Sequence, residues 1–314
     1  MQVIKGLDKT LQIQNSIVTQ GTFDGVHTGH LKILKSIVEL ASAKNCKSVL
    51  LTFNPHPRQI LQKDDNSIKL LTTFEEKTEL LKNTGLDFLV VIPFDKQFSE
   101  LSAEDFIKKI LVEKIGVDTI VVGYDHRFGK NREGKFDDLK EFAQKYNFHV
   151  KEIAAFDIEM SHVSSTKIRN SLLHGDIETA NKFLGRKYFL SGVVYEGNKL
   201  GKTIGFPTAN IKVENIDKLI PANGVYAVEI EIENELFGGM MNIGNRPSIK
   251  GAKWSIEVNI FDFDKDIYGK KITVYFLSKM RDEKKFDNLE DLKIQLENDK
   301  RKALQLLKIK NIGY

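Results

Sequence analysis

Short apolar runs recur through the first half of the chain, at Ile17–Thr19, Val49–Phe53, Phe88–Ile92, Thr119–Val122 and His149–Ile153. Their spacing is that of βαβ units, and the stretches between them carry helical periodicity. Leu31, Leu34, Ile37, Val38 and Ala41 make one apolar face; Phe136, Leu139, Phe142, Ala143 and Tyr146 make another. Thr73-x-x-Glu76 and Ser102-x-x-Asp105 read as capping boxes that open two more helices. Apolar strands alternating with helices predict a parallel sheet buried on both faces.

After about Gly185 the pattern changes. Tyr188–Val194, Val225–Ile232, Trp254–Phe261 and Ile272–Leu277 are rich in β-branched and aromatic residues, and several alternate apolar with polar. Gly, Asn and Asp separate them, which predicts an antiparallel sheet or small barrel. Helical spacing returns from Leu289 to Leu307. The predicted fold class is α/β followed by β, with a parallel sheet first and an antiparallel β-barrel with a terminal helix second. The change falls within Asn181–Lys187, after a helical segment that starts at Thr166, and divides the chain into 1–183 and 184–314. No Gly/Ser-rich or Pro-rich linker marks the boundary.

Composition adds exclusions. The 314 residues suit two domains, and 41% hydrophobic content supplies two cores. With 47 basic against 43 acidic residues, the net charge of +4 indicates neither a nucleic-acid nor a membrane partner. No apolar run is long enough to span a bilayer. The single cysteine, Cys46, forms no intramolecular disulfide, which points to a reducing, cytoplasmic compartment.

Candidate chemistry concentrates after the apolar runs. Gly21-Thr22-Phe23-Asp24-Gly25-Val26-His27-Thr28-Gly29-His30 lies between the first predicted strand and the first helix. A glycine-rich turn at a helix start offers backbone N–H groups and a dipole to an anion. Gly21 and Gly25 permit close backbone approach, Gly29 permits close helix packing, and His27 and His30 add tunable donors. Zinc fits less well, because no cysteines or obvious carboxylate ligands accompany the His-x-x-His pair. A Gly-x-Gly-x-x-Gly fingerprint is absent, which argues against a nicotinamide-dependent dehydrogenase.

Ser164-Ser165-Thr166-Lys167-Ile168-Arg169 suits either simple helix capping or phosphate contacts, with Arg169 facing the same anion. Gly123-Tyr124-Asp125-His126-Arg127-Phe128-Gly129 follows the fourth strand, as Asn54-Pro55-His56-Pro57-Arg58 follows the second. Ligands of parallel sheets sit at those carboxyl ends. In the second half, Gly197-Asn198-Lys199-Leu200-Gly201-Lys202-Thr203 is one residue short of a P-loop, and Pro207 opposes the long helix that a P-loop requires. Gly205-Phe206-Pro207-Thr208-Ala209-Asn210 is either a tight Pro turn or a hydroxyl and amide pair suited to Mg²⁺. Glu257, flanked by apolar residues, faces solvent or, at a barrel mouth, serves as general base for a hydroxyl.

Together these motifs resemble the bacterial bifunctional riboflavin kinase/FMN adenylyltransferase family, also called FAD synthetases. The resemblance covers nearly the whole chain. It rests on the stretches quoted above and on Gly224-Val225-Tyr226, Asn242-Ile243-Gly244-Asn245-Arg246-Pro247, Glu257-Val258 and Leu-x-x-Gln-x-x-x-Asp at Leu292 to Asp299. Departures are His126 for Phe, Lys187 for Pro, Ser248 for Thr and Asn259 for His.

The resemblance implies a Rossmann-like nucleotidylyltransferase domain and a riboflavin kinase domain. It implies riboflavin, FMN and ATP as binding partners, Mg²⁺ as cofactor, and a monomer or weak homo-oligomer. In the kinase domain Glu257 would deprotonate the riboflavin 5′-hydroxyl and Thr208 and Asn210 would hold the metal. Gly197, Gly201, Lys202 and Gly205 would cradle ATP. In the adenylyltransferase domain His27, His30 and Arg169 would stabilise charge on the α-phosphate. Gly21, Phe23, Asp24, Gly29, Ser165 and Thr166 would hold ATP, and Asn54, Asp125 and Arg127 the flavin or its phosphate. An adenylyltransferase with another acceptor, or a non-catalytic flavin-binding protein, would lack a reason for one or both residue sets.

Overall fold

The computed structural model describes residues 1–7, 13, 15–62, 68–123, 127–153, 163–197, 200–246 and 253–310. Contacts divide the chain into two compact units, Met1–Ser165 and Thr166–Tyr314.

The first unit is built on six parallel strands: β1 (Gln2–Lys5), β2 (Ser16–Gln20), β3 (Lys47–Asn54), β4 (Phe88–Pro93), β5 (Val117–Gly123) and β6 (His149–Ile153). Their order is β1-β4-β3-β2-β5-β6. Strand period 2 sends neighbouring residues into opposite layers. Val18, Leu51, Val90 and Ile120 pack with Leu111, Leu139 and Ala143 on one face. Ile17, Leu50, Leu89 and Val121 pack with Leu34, Ile37 and Leu81 on the other. Because both faces are covered, β2 is buried throughout, whereas the edge strands β1 and β6 are largely exposed. That exposure hid β1 from the hydrophobic pattern, so the sheet has one strand more than predicted.

The Thr73 capping box is complete and opens the Phe74–Lys82 helix. The Ser102 cap opens only Ala103–Asp105, which continues as a π-helix over Phe106–Ile115 rather than an α-helix. From β2 the chain steps to β3 and β4 on one side, then returns to place β5 on the other. This reversal puts the crevice of the sheet at the carboxyl ends of β2 and β5.

The second unit begins with the helices Ser165–His174, entered at Thr166, and Ile177–Leu184, divided at Gly175 with φ 79°. Hydrogen bonds tie both helices to the rest of the unit: Ala222 N donates to Leu172 O, and Asn181 Nδ2 donates to Phe276 O. Six strands then close an antiparallel barrel in the order β10-β11-β8-β7-β12-β9. They are β7 (Phe189–Tyr195), β8 (Ala209–Lys212), β9 (Gly224–Ile232), β10 (Glu235–Arg246), β11 (Lys253–Ile260) and β12 (Lys271–Arg281). The sequence pattern marked four of them; β8 is too short and β10 too glycine-rich to announce themselves.

Tyr226, Met241, Val258, Ile211 and Val274 fill the barrel interior by register. The terminal helix, Leu289–Lys310, covers Ala227, Met240 and Leu277 on the outer wall. The Gln295 and Asp299 of the tail motif anchor it. Arg281 Nε and Nη2 donate to the buried Asp299 carboxylate at 3.0 and 2.7 Å, and Gln295 Nε2 donates to it at 2.9 Å.

Candidate functional site

In the first unit the turn after β2 stands at the switch point of the sheet. Gly21 N extends the pairing by donating to Leu51 O. The backbone then enters the left-handed region three times, at Phe23 (φ 46°), Gly25 (φ 83°) and Val26 (φ 38°). For a β-branched residue such as Val26 this conformation is strained, and such strain persists only where the surroundings over-determine it.

Those surroundings are identifiable. The buried Asp24 carboxylate accepts from Leu71 N at 3.1 Å and from Thr72 N at 3.0 Å. Thr72 Oγ1 accepts from Gly25 N, while Ser165 Oγ donates to Asp24 O at 2.9 Å. The peptide between Asp24 and Gly25 is therefore clamped from both sides. Lys77 Nζ donates to Thr22 O at 3.1 Å and to Thr52 Oγ1 at 3.3 Å. Burial lowers the Lys77 pKa to about 8, against the pull of the Asp24 carboxylate.

The turn ends at the N-terminus of the Thr28–Lys44 helix, where the two histidines cap each other. His27 Nδ1 accepts from His30 N at 3.3 Å, and His30 Nδ1 accepts from His27 N at 3.4 Å. With each Nδ1 accepting, each neutral ring carries its proton on Nε2. The rings stack with centroids 3.6 Å apart, and Phe23 stacks on His30 at 4.5 Å. The result is a rigid column of rings at a helix N-terminus.

Asn54 ends β3 at the same carboxyl edge of the sheet and is exposed. Arg127, after β5, is also exposed, whereas Asp125 and His126 lie outside the described residues. Ser165 joins the turn through Asp24, 141 residues away in sequence. Thr166 opens the second unit, and Arg169 is buried on the same Ser165–His174 helix. Thr72 and Lys77 were missed by sequence reading. A threonine and a lysine at a helix start carry no signal of their own.

In the second unit the cross-strand register assembles a polar patch. Glu257 lies opposite Asn210 of β8 and opposite Asn242 of β10. Asn259 lies opposite Met240, which contacts the terminal helix, so this patch is on the outer wall rather than inside the apolar barrel. Ser255 Oγ donates to Glu257 Oε1 at 2.8 Å, and Thr208 Oγ1 stands 3.4 Å from Glu257 Oε2. Asn259 Nδ2 donates to Pro207 O at 2.7 Å, which pins the turn carrying Thr208. The residue that departs from the family pattern thus has a defined structural task.

Asn210 is buried, yet among the described residues its Oδ1 has no hydrogen-bond partner. A buried amide oxygen left unpaired costs free energy unless something outside the chain satisfies it. Two glycines shape the surroundings. A Cβ on Gly197 would lie 2.1 Å from Asn210 Nδ2, and one on Gly201 would lie 2.2 Å from Phe206 O. Gly205 has φ 82°, and the helix here, Leu200–Thr203, is only 4 residues long, unlike that of a P-loop. Asn198, Lys199 and the side chain of Lys202 lie outside the described residues. Ser255, Asn259 and Asn242 were not among the predicted site residues; their alternation with apolar neighbours was the available signal.

Family models match both halves. The FAD synthetase model covers residues 9–167, and the riboflavin kinase model covers residues 184–307. The bifunctional riboflavin kinase/FMN adenylyltransferase of Buchnera aphidicola subsp. Schizaphis graminum is 41% identical over 305 residues, 95% of this chain and 96% of that one. The chain belongs to the bifunctional riboflavin kinase/FMN adenylyltransferase family. The enzyme of the same description from Haemophilus influenzae is 37% identical, over 95% of this chain and 97% of its own. A crystal structure described as a macrolide-efflux protein from Streptococcus pneumoniae superposes with TM-score 0.87 and 32% identity, covering 96% of this chain and 97% of that one. Among the described residues, no helix of this family member is long and apolar enough to cross a membrane. The FAD synthetase match contains the strained turn, and the riboflavin kinase match contains the Glu257 patch.

Proposed function

We propose that this enzyme makes flavin cofactors at two separate ATP-using sites. Riboflavin is phosphorylated to FMN beside Glu257, and FMN is adenylylated to FAD at the Gly21–His30 turn with release of pyrophosphate. The observation that carries the reading is the pairing of Glu257 with Asn210 in register, with Thr208 3.4 Å from the carboxylate. Such a group of oxygens serves a hydroxyl nucleophile and the phosphates it attacks.

In the kinase half, Glu257 accepts the proton of the riboflavin 5′-hydroxyl as its oxygen attacks the γ-phosphorus of ATP, and ADP leaves. Ser255 holds the carboxylate for this task. Asn210 Oδ1, unpaired among the described residues, and the Thr208 hydroxyl are hard oxygen donors that fit Mg²⁺. The ion, when bound, would neutralise phosphate charge. Gly197, Gly201 and Gly205 leave room for the ATP phosphates, and Lys202 joins them in cradling the phosphates.

In the other half, an FMN phosphate oxygen attacks the α-phosphorus of a second ATP. A phosphate is already a nucleophile, so this site supplies charge stabilisation instead of a base. The Nε2–H groups of His27 and His30 and the guanidinium of Arg169 take that role. Gly21, Phe23, Gly29, Ser165 and Thr166 receive ATP, and Asp24 holds the turn in shape. Asn54, Asp125 and Arg127 take the flavin or its phosphate. The working division is 1–183 for adenylyl transfer and 184–314 for the kinase. The single thiol fits a cytoplasmic location, with neither nucleic acid nor membrane as partner.

The test is direct. Purified protein is incubated with riboflavin, ATP and Mg²⁺, and the flavins are separated by chromatography. FMN followed by FAD is expected. FMN without FAD would remove the adenylyl half of the proposal, and no new flavin would remove all of it.

A further inference from the structure

The buried cation behind the phosphate turn has no place in the chemistry above. Lys77 sits in the first helical turns of Phe74–Lys82, shortly after Thr72, which also grips the turn. Thr72 binds the Asp24 carboxylate and the Gly25 N–H, Thr73 caps the helix, and Lys77 reaches the carbonyl of Thr22. The lysine is only 8% exposed, and burying an ammonium is costly. A protein keeps such a group where its charge has work to do, or where geometry demands its hydrogen bonds.

Peptide planarity says what the geometry achieves. In a trans peptide the C=O of one residue and the N–H of the next point in opposite directions. Thr22 O accepts from both Lys77 Nζ and Thr52 Oγ1, so it is drawn toward the body of the domain. The N–H of Phe23 is thereby aimed away from Lys77. The next clamped peptide obeys the same rule, with Asp24 O toward Ser165 and Gly25 N toward Thr72. An N–H aimed by a fixed carbonyl is what anion recognition by a turn requires.

We propose that Lys77 is a positioning residue for adenylyl transfer, holding the Thr22 carbonyl so that the turn presents its N–H to the ATP phosphates. This rests on the assignment of the turn to that reaction. The charged group facing Lys77 is the Asp24 carboxylate; the neutral ones are Thr22 O and the Thr52 hydroxyl. With its pKa lowered to about 8 by burial, Lys77 loses its proton as pH rises through that value. The neutral amine still donates but holds the Thr22 carbonyl more weakly than the ammonium, so adenylyl transfer then falls while the kinase does not share the fall. Stability moves the other way. The unfolded lysine keeps its proton to higher pH than the folded one, so folding is favoured increasingly above about pH 8. A loss of rate there is not unfolding.

The experiment compares full-length wild type, Lys77→Met, Lys77→Arg and His30→Ala in separate riboflavin-to-FMN and FMN-to-FAD assays across pH. Lys77→Met should lower kcat/KM for FAD formation about 10- to 100-fold, the scale of a misplaced binding group, with FMN formation at the wild-type rate. Lys77→Arg should keep most adenylyl transfer and lack the decline near pH 8. Full FAD formation by Lys77→Met overturns the inference, as does a wild-type profile flat through pH 8. Loss of both activities in Lys77→Met and Lys77→Arg alike overturns it too, since the lysine would then be structural alone. His30→Ala separates the two layers: an unchanged FAD rate there removes the site assignment itself.

Discussion

The two candidate sites are built by opposite strategies. The turn after β2 is a backbone device: three residues in left-handed conformation, held from behind by Asp24, Thr72, Lys77 and Ser165. The Glu257 patch is a side-chain device: Ser255, Glu257 and Asn259 alternate along β11, and strand register sets Asn210 and Asn242 opposite Glu257 on a barrel wall. A backbone device needs a contiguous run of unusual residues. A register device needs only correct alternation on strands distant in sequence. The first depends on strain being held, and the second on the barrel being closed.

The sharpest way to break this comparison is Glu257→Gln. It should lower FMN formation by about 10²- to 10⁴-fold, the range for a lost general base, and leave FMN-to-FAD conversion near normal. Joint loss in a folded variant would show that the sites are not separate. His30→Ala should do the reverse, cutting FAD formation by about 10²- to 10³-fold through lost charge stabilisation. Separate assays starting from riboflavin and from FMN read both.

Smaller changes sharpen the contrast. Gly197→Ala pushes a methyl into Asn210, 2.1 Å from its Nδ2. It should raise the half-saturating Mg²⁺ of the kinase about 10-fold, the cost of disturbing a metal site's support, without touching the adenylyl half. The Mg²⁺ titration of each activity checks it. Thr73→Ala removes the cap that starts the Lys77 helix. A cost of about 1 kcal/mol is expected for such a cap, read as a lower denaturant midpoint for the first unit alone. Equal destabilisation of both units would contradict their division into two cores.

The βαβ alternation was legible because burial on both faces forces continuous apolar runs at β2 to β5. Edge strand β1 was not, since exposure removes that requirement, and β8 was not, since four residues are too few to show a pattern. The π-helix at Phe106–Ile115 is likewise invisible to a cap-and-period reading, because Ser102 caps its beginning as it would an α-helix. Asn259 shows the same limit at a site. As a departure from the family pattern it carried no role until its amide was found on Pro207 O.

The sequence by itself determined the two-part architecture, the phosphate-type turn and the residues shared with a flavin-synthesising family. These are local properties: periodicity, glycine placement and contiguous motifs are written along one short stretch at a time. Only the tertiary structure decided that Asn210 is buried opposite Glu257 with an oxygen unpaired among the described residues, and that Lys77 and Ser165 grip the turn. Those facts depend on strand register and on contacts between distant segments. Whether a polar group is satisfied, buried or aimed is set by what the fold brings against it.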